Sequence, residues 1–151
     1  MKINGLKIHR FLKPSNYLNH IFNTPTSINS LNQIGKLGEK IAETFLILNG
    51  YKILNKNFRT PFGEIDIVTQ HANFIVFFEI KTRTSEKFGN AFSSITTTKQ
   101  KHILNNCLFY LKQHKLSMDY YRIDGIAIKL DSQKNFQILK HLKNIITSSM
   151  L

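Results

Sequence analysis

Glu64-Ile65-Asp66-Ile67-Val68-Thr69-Gln70-His71-Ala72-Asn73-Phe74-Ile75-Val76-Phe77-Phe78-Glu79-Ile80-Lys81 places three acids and one lysine in eighteen residues. Both ends of this stretch read as strand, and side chains two apart on a strand share a face. Glu64 and Asp66 are therefore expected on one face, with Ile65 and Ile67 on the other. Glu79 and Lys81 pair in the same way, with Phe78 and Ile80 opposite. His71-Ala72-Asn73 is short enough to close a hairpin. The hairpin would gather Asp66, Glu79 and Lys81 on one surface. Two carboxylates ~4 Å apart repel by roughly 4 kcal/mol at an effective dielectric near ~20. A divalent cation would remove that penalty and create a reactive site, which points to metal-dependent phosphodiester hydrolysis.

On this reading Asp66 and Glu79 are direct ligands of magnesium or manganese, and the Ile80 backbone carbonyl is a third oxygen. Lys81 would stand beside the scissile phosphate and the attacking water. The plainer alternative is a surface ladder with a Lys81–Asp66 ion pair. Against it stands the apolar run Phe74–Phe78, which reads as a strand buried on both faces. Acids at the end of such a strand are costly unless something binds them.

The chain has 151 residues, a size for one domain, and 42% of them are hydrophobic. Lys and Arg number 21 against 9 Asp and Glu, a net charge of +12. Such an excess favours a polyanionic partner. No apolar run approaches the ~18–20 residues of a membrane span, so no membrane is expected. Cys107 is the only cysteine, which excludes an internal disulfide and fits a reducing compartment such as the cytoplasm. The six histidines form no pair or Cys/His cluster at zinc spacing.

Residues 1–30 carry Lys2, Lys7, Arg10 and Lys13 with no acid, and Pro14 and Pro25 interrupt any long helix. This segment reads as a flexible basic arm with at most a helical turn or two. Residues 31–151 read as the folded domain. Ile34, Leu37, Ile41, Phe45 and Leu48 recur at helical spacing, and Asn49-Gly50 stops that helix. Tyr51–Asn57 reads as a strand, Arg59–Gly63 as a turn, and Ser85–Thr97 as a polar loop. A second helix is expected from Thr98 to His114, on the stripe Ile103, Leu104, Cys107, Leu108 and Leu111. Tyr121–Leu130 reads as a strand, Asn135–Leu139 as a last short one, and the tail through Ile146 is ambiguous. Strands on both sides of a crossover helix indicate an α/β fold, a mixed central sheet with helices on its faces.

Gly38-Glu39, Gly63-Glu64-Ile65-Asp66-Ile67-Val68, Phe77-Phe78-Glu79-Ile80-Lys81-Thr82-Arg83, Phe88-Gly89, Lys99-Gln100 and Arg122-Ile123-Asp124 occur in that order. Together they resemble the YraN, or UPF0102, family of proteins assigned as endonucleases, over residues 32–129. The resemblance implies a restriction-endonuclease-like fold, similar to archaeal Holliday-junction resolvases. It implies Asp66, Glu79 and Lys81 as the catalytic motif, with Glu39 as a helix-borne acid reaching the same metal cluster. It also sets Lys99 and Gln100 near the site. Ile80 stands where many members have valine. Related exonucleases often show Gln, three residues, then Tyr; Leu104 follows Gln100 here, which argues against a processive exonuclease.

Arg83, Lys87, Lys99, Gln100 and Lys101 flank the acids and are candidates for a phosphate path, with a solvated face as the alternative. Glu64 is a candidate water-mediated metal contact or a support for the Gly63 turn. Asp124 is expected to point outward, either as an acid behind the site or as a partner of Arg122 or of a lysine. Cys107 reads as core. The expected activity is a DNA endonuclease, which could be structure-specific. A non-catalytic nucleic-acid-binding protein and an RNA-processing nuclease are the alternatives. Two copies would suit cutting of two strands, although the sequence itself does not show a homodimer.

Overall fold

A computed structural model describes residues 2–3, 6–12, 30–84, 91–92 and 95–147, with side chains from residue 30 onward. The first helix, α1 (Leu31–Leu48), starts at a capping box: Ser30 Oγ accepts from the Gln33 amide and the Gln33 side chain accepts from the Ser30 amide. It stops at Asn49, followed by Gly50 at φ +79°. The strands are β1 (Lys2–Ile3), β2 (Leu6–Leu12), β3 (Lys52–Thr60), β4 (Gly63–His71), β5 (Phe74–Arg83), β6 (Tyr121–Leu130) and β7 (Phe136–Ile146). The second helix, α2 (Thr97–Gln113), joins β5 to β6.

The sheet order is β1-β2-β7-β6-β5-β4-β3. Among the described strands only β5 and β6 pair in parallel, which is what a helical crossover between neighbouring strands requires. The fold is thus α/β with a mixed sheet, consistent with a restriction-endonuclease-like arrangement.

Among the described residues, each face of the sheet takes one helix. On one face Ile41, Ala42, Phe45 and Leu46 of α1 pack on Ile67, Val76, Phe78, Ile126 and Ile128. On the other, Ile103, Cys107, Tyr110 and Leu111 of α2 pack on Val68, Phe77, Ile123 and Ala127. Cys107 is core, as its position on the helix stripe indicates, and burial pushes its thiol pKa well up.

Four sequence expectations change. The Tyr51–Asn57 strand runs on to Thr60, because β3 and β4 stay in register to Thr60↔Gly63, and the turn shortens to Pro61-Phe62. The last strand is not short: β7 continues through the ambiguous tail to Ile146, and its apolar residues Leu142, Ile145 and Ile146 cover the α2 side. Ile65 and Ile67 do not share a face, since Ile65 joins the α2-side cluster and Ile67 the α1-side cluster. Within the segment read as a basic arm, the backbone of Leu6–Leu12 forms a strand beside β7, with Leu12↔Leu139 and Phe11↔Lys140 in register. Residues 1, 4–5 and 13–29 of that segment lie outside the described residues, as does most of the expected Ser85–Thr97 loop.

Gly38 sets how closely α1 lies on β5. A Cβ at this position would fall inside van der Waals contact of Thr82 Oγ1 and 3.0 Å from Thr82 Cβ. Gly38→Ala is therefore expected to lower stability by about 1–3 kcal/mol, as overpacking does. Thermal melts check this, and adding Thr82→Ala should recover part of the loss; a Gly38→Ala variant as stable as wild type would refute the close approach.

Candidate active site

The β4–β5 ladder runs from His71↔Phe74 to Ile67↔Phe78 and then stops. One further step would pair Asp66 with Glu79. Instead the Asp66 carboxylate accepts the Ile80 amide through Oδ2 at 2.7 Å. Beyond this point β4 follows β3, while β5 stays paired with β6 to Arg83↔Lys129. The parting strands open a cleft of about 570 Å³, lined by Arg59, Thr60, Phe62, Gly63, Glu64, Asp66, Glu79, Ile80, Lys99, His102 and Asn106.

Glu79 and Lys81 share a face, as their spacing indicates, and Lys81 Nζ lies 3.1 Å from Glu79 Oε1. Lys99, from the first turn of α2, approaches the same oxygen at 3.8 Å. Lys81 thus pairs with Glu79 and not with Asp66, the partner considered from the sequence. In an extended strand the amide and carbonyl of one residue leave the same edge. The Ile80 amide points to Asp66, so the Ile80 carbonyl also belongs to the edge that β4 has left.

Asp66 carries the largest electrostatic stress in the cleft. Burial, then the Glu79 charge, pushes its pKa from an ordinary 3.8 up to about 7, against the lowering effect of the Ile80 amide. Glu39 and Glu64 add to the upward push. Glu39 itself projects from α1 and accepts from Asn57 Nδ2 at 3.0 Å. Asn57 sits at φ +49°, a left-handed residue in β3 that turns its amide toward the helix. Among the described residues, no three His, Cys, Asp or Glu side chains converge closely enough to form a metal cluster as they stand. The donor set nevertheless suits a hard divalent cation: the Asp66 and Glu79 carboxylates and the Ile80 carbonyl, with three acids, Glu79, Glu39 and Glu64, acting on Asp66.

The other candidates separate. Glu64 is exposed and lines the cleft, and its backbone carbonyl accepts from Asn106 Nδ2 at 3.4 Å. Gln100 Nε2 donates to the Ile95 carbonyl at 3.2 Å, at the start of its own helix. Lys101 is exposed and does not line the cleft; Arg83 ends β5 and donates to the Thr82 carbonyl at 2.9 Å. Lys87 lies outside the described residues.

Asp124 does not point outward. It is fully buried and accepts from Arg122 Nε at 3.0 Å and from the Asn144 amide at 3.0 Å, with His141 Nε2 at 2.8 Å. Its register partner Phe78 belongs to the α1-side core, whereas Glu79 faces α2, so Asp124 and the cleft lie on opposite faces. The pair with Arg122 was legible; the burial was not, because β7 was not read as a covering strand.

The sequence reading missed Arg59, Thr60, Phe62, His102 and Asn106, which line the cleft. Asn106 had a signal: it is a polar residue three positions after Ile103, on the buried stripe of α2, and it is itself buried. It accepts from Thr60 Oγ1 and so ties α2 to the β3–β4 turn.

The Asp66 shift has a definite sign for stability. Below about pH 3.8 the carboxyl is protonated in both folded and unfolded chains. Between 3.8 and about 7 the folded protein holds a proton that the unfolded chain has released, so stability falls as pH rises. Above about 7 the loss is complete, on the order of 4 kcal/mol. Asp66→Asn keeps an acceptor for Ile80 and removes the charge. Without metal it is expected to raise the melting temperature at pH 8 and to change it little at pH ~3.5. Equal shifts at both pH values would contradict the buried ionisation.

Comparison with known proteins places this arrangement in a family. The profile of UPF0102, described as an uncharacterised protein family, matches residues 38–128. That span runs from Gly38 through Asp66, Glu79, Lys81 and Lys99 to β6. A UPF0102 protein of Thermodesulfovibrio yellowstonii is 45% identical over 113 residues, covering 74% of this chain and 94% of that protein. One from Clostridium novyi is 42% identical, covering 74% and 92%. One from Caldicellulosiruptor bescii is 41% identical, covering 76% and 98%. The chain belongs to the UPF0102 family.

Proposed function

We propose that the protein is a metal-dependent DNA endonuclease that hydrolyses phosphodiester bonds in the cleft between β4 and β5. The observation that carries this reading is Asp66: a desolvated carboxylate beside Glu79, held up to about 7, in a protein of net charge +12. Strongly perturbed acids in a cleft mark functional sites more often than structural ones. Asp66, Glu79 and the Ile80 carbonyl would hold magnesium or manganese, with Glu39 as the acid nearest them on α1. A bound cation of this kind supplies an activated water, neutralises phosphate charge and stabilises the leaving oxygen.

The chain's own groups do the remaining work. The Ile80 amide orients the Asp66 carboxylate, and partial burial raises the cost of its charge. Lys81 brings a positive charge next to Glu79, where it can donate to a phosphate oxygen and favour the charge that develops during attack. Lys99, half-exposed at the rim, can hold a neighbouring phosphate. A dimer would place one such cleft on each strand of a duplex.

A second reading follows from one observation: Lys81 and Lys99 already neutralise Glu79, so the cleft could bind nucleic acid without cutting it. It predicts salt-sensitive binding that survives Asp66→Asn.

Purified protein should be tested on duplex, single-stranded, flapped and four-way-junction DNA and on an RNA hairpin, with magnesium, manganese or EDTA. The expected result is metal-dependent cutting that disappears in Asp66→Asn and falls by about 10²–10³-fold in Lys81→Ala. Ligation requires a deprotonated carboxylate, so the rate at fixed metal should climb as pH passes through about 7. Cutting that persists in Asp66→Asn would refute this site, and cutting of the RNA alone would transfer the activity to RNA processing.

A further inference from the structure

The rim of the cleft carries one group that the hydrolysis of a phosphodiester does not need. Phe62, at the tip of the β3–β4 turn, lines the cleft with Asp66 and Glu79 and is 49% exposed. Its described ring contact is an edge contact with Phe109, centroids 6.4 Å apart, which leaves much of the side chain open. Other large apolar side chains are as exposed, among them Tyr120, so what singles out Phe62 is its place in the cleft wall beside Asp66 and Glu79.

The turn that presents Phe62 is held on several sides. The Phe62 amide donates to Thr60 Oγ1 at 3.0 Å, and Thr60 Oγ1 donates in turn to Asn106 Oδ1. Asn106 Nδ2 donates to the Glu64 carbonyl on the far side of the turn, at 3.4 Å. Gly63, at φ +139°, supplies a backbone conformation that other residues rarely adopt. The ring therefore stands on a rigid support, exposed, with Arg59, Lys99 and His102 around the same opening.

We infer that Phe62 is a base-stacking residue, and that the favoured substrate presents an unpaired nucleotide beside the bond to be cut. This rests on the nuclease reading for the identity of the chemistry, while the stacking can be measured without it. Cations that hold the backbone together with an aromatic face that takes a base are the combination by which proteins grip single strands. In a continuous duplex both faces of each base are covered by neighbours, so only an unstacked base can meet the ring. A bubble, flap or junction offers one.

Wild type, Phe62→Ala and Phe62→Trp should be compared on a continuous DNA duplex and on the same duplex with a short bubble containing 2-aminopurine. Binding and fluorescence are read in EDTA, and cleavage in magnesium or manganese. Wild type should quench the 2-aminopurine and prefer the bubble. Phe62→Ala should lose the quenching and reduce the bubble-to-duplex affinity ratio about ten-fold. Phe62→Trp, which keeps an aromatic face, should retain both and also report that the turn is folded. Retained quenching and preference in Phe62→Ala would overturn the stacking role. Wild type that cuts both DNAs alike without quenching would overturn it too, leaving the nuclease intact. Wild type that quenches but never cuts would uphold the stacking and refute the nuclease. Failure to bind or cut either DNA would refute both.

Discussion

The hydrogen bond from the Ile80 amide to the Asp66 carboxylate decides the shape of this molecule's working end. It stands where the next rung of the β4–β5 ladder would have been, after Ile67↔Phe78. Because a side chain takes the amide, the two backbones need not stay at ladder distance. β4 keeps its partner β3 as far as Gly63, β5 keeps its partner β6 as far as Arg83, and the space between becomes the cleft. At the same point Ile65 and Ile67 pass to different cores, although β4 stays in register with β3, where the left-handed Asn57 lies between Lys56 and Phe58. The polar contact, the end of the ladder and the cleft thus coincide at one place on the sheet.

The buried Asp124 and the half-buried Asp66 show how differently a fold can treat the same chemical group. Asp124 has Arg122, His141 and the Asn144 amide within 3.0 Å, so its charge is matched on every side described. Asp66 has one amide, and the charges that act on it from Glu79, Glu39 and Glu64 are all of its own sign. Asp124 is part of how β6 and β7 are joined, with the left-handed Asn144 in β7 turning its amide to the carboxylate. Asp66 is left with a penalty that the rest of the fold must support. The close seating of α1 through Gly38 on Thr82, and the Asn106 tie from α2 to the β3–β4 turn, are rigid contacts flanking that acid.

Much of this was legible in the chain because it is local. The periodicities of Ile34–Leu48 and Ile103–Leu111 set both helices, and Tyr121–Leu130 was read to the residue. The spacing of Glu79 and Lys81 gave their shared face, and the short hairpin gave the approach of Asp66. What was illegible depends on long-range pairing. β7 has a mixed pattern because it bulges near Asn144 and contributes to both cores, so its length could not be seen in alternation alone. Asp124 looked exposed because the covering residues, His141 and Asn144, are twenty residues or fewer downstream on a strand not yet assigned. The break at Asp66 defeats the two-residue rule at the one place where the side chain replaces the ladder. Arg59, Phe62 and His102 carry no local mark at all; they become a rim only when the β3–β4 turn meets α2.

Charge gives the last constraint. Of nine acids in the chain, Glu39, Glu64 and Glu79 all act on Asp66, while 21 lysines and arginines leave the molecule at +12. A net charge of +12 favours a polyanion in general, whereas the acids around Asp66 oppose one at that point. Lys81 and Lys99 offset Glu79, but Asp66 has no such partner within the cleft contacts described. A phosphate can approach that carboxylate only if something else carries positive charge there. A proton on Asp66 would suffice below about pH 7, and above it the same space calls for a divalent cation held between the carboxylates. Under the nuclease proposal, a divalent cation would relieve the opposition between a net charge of +12 and the acids gathered around Asp66.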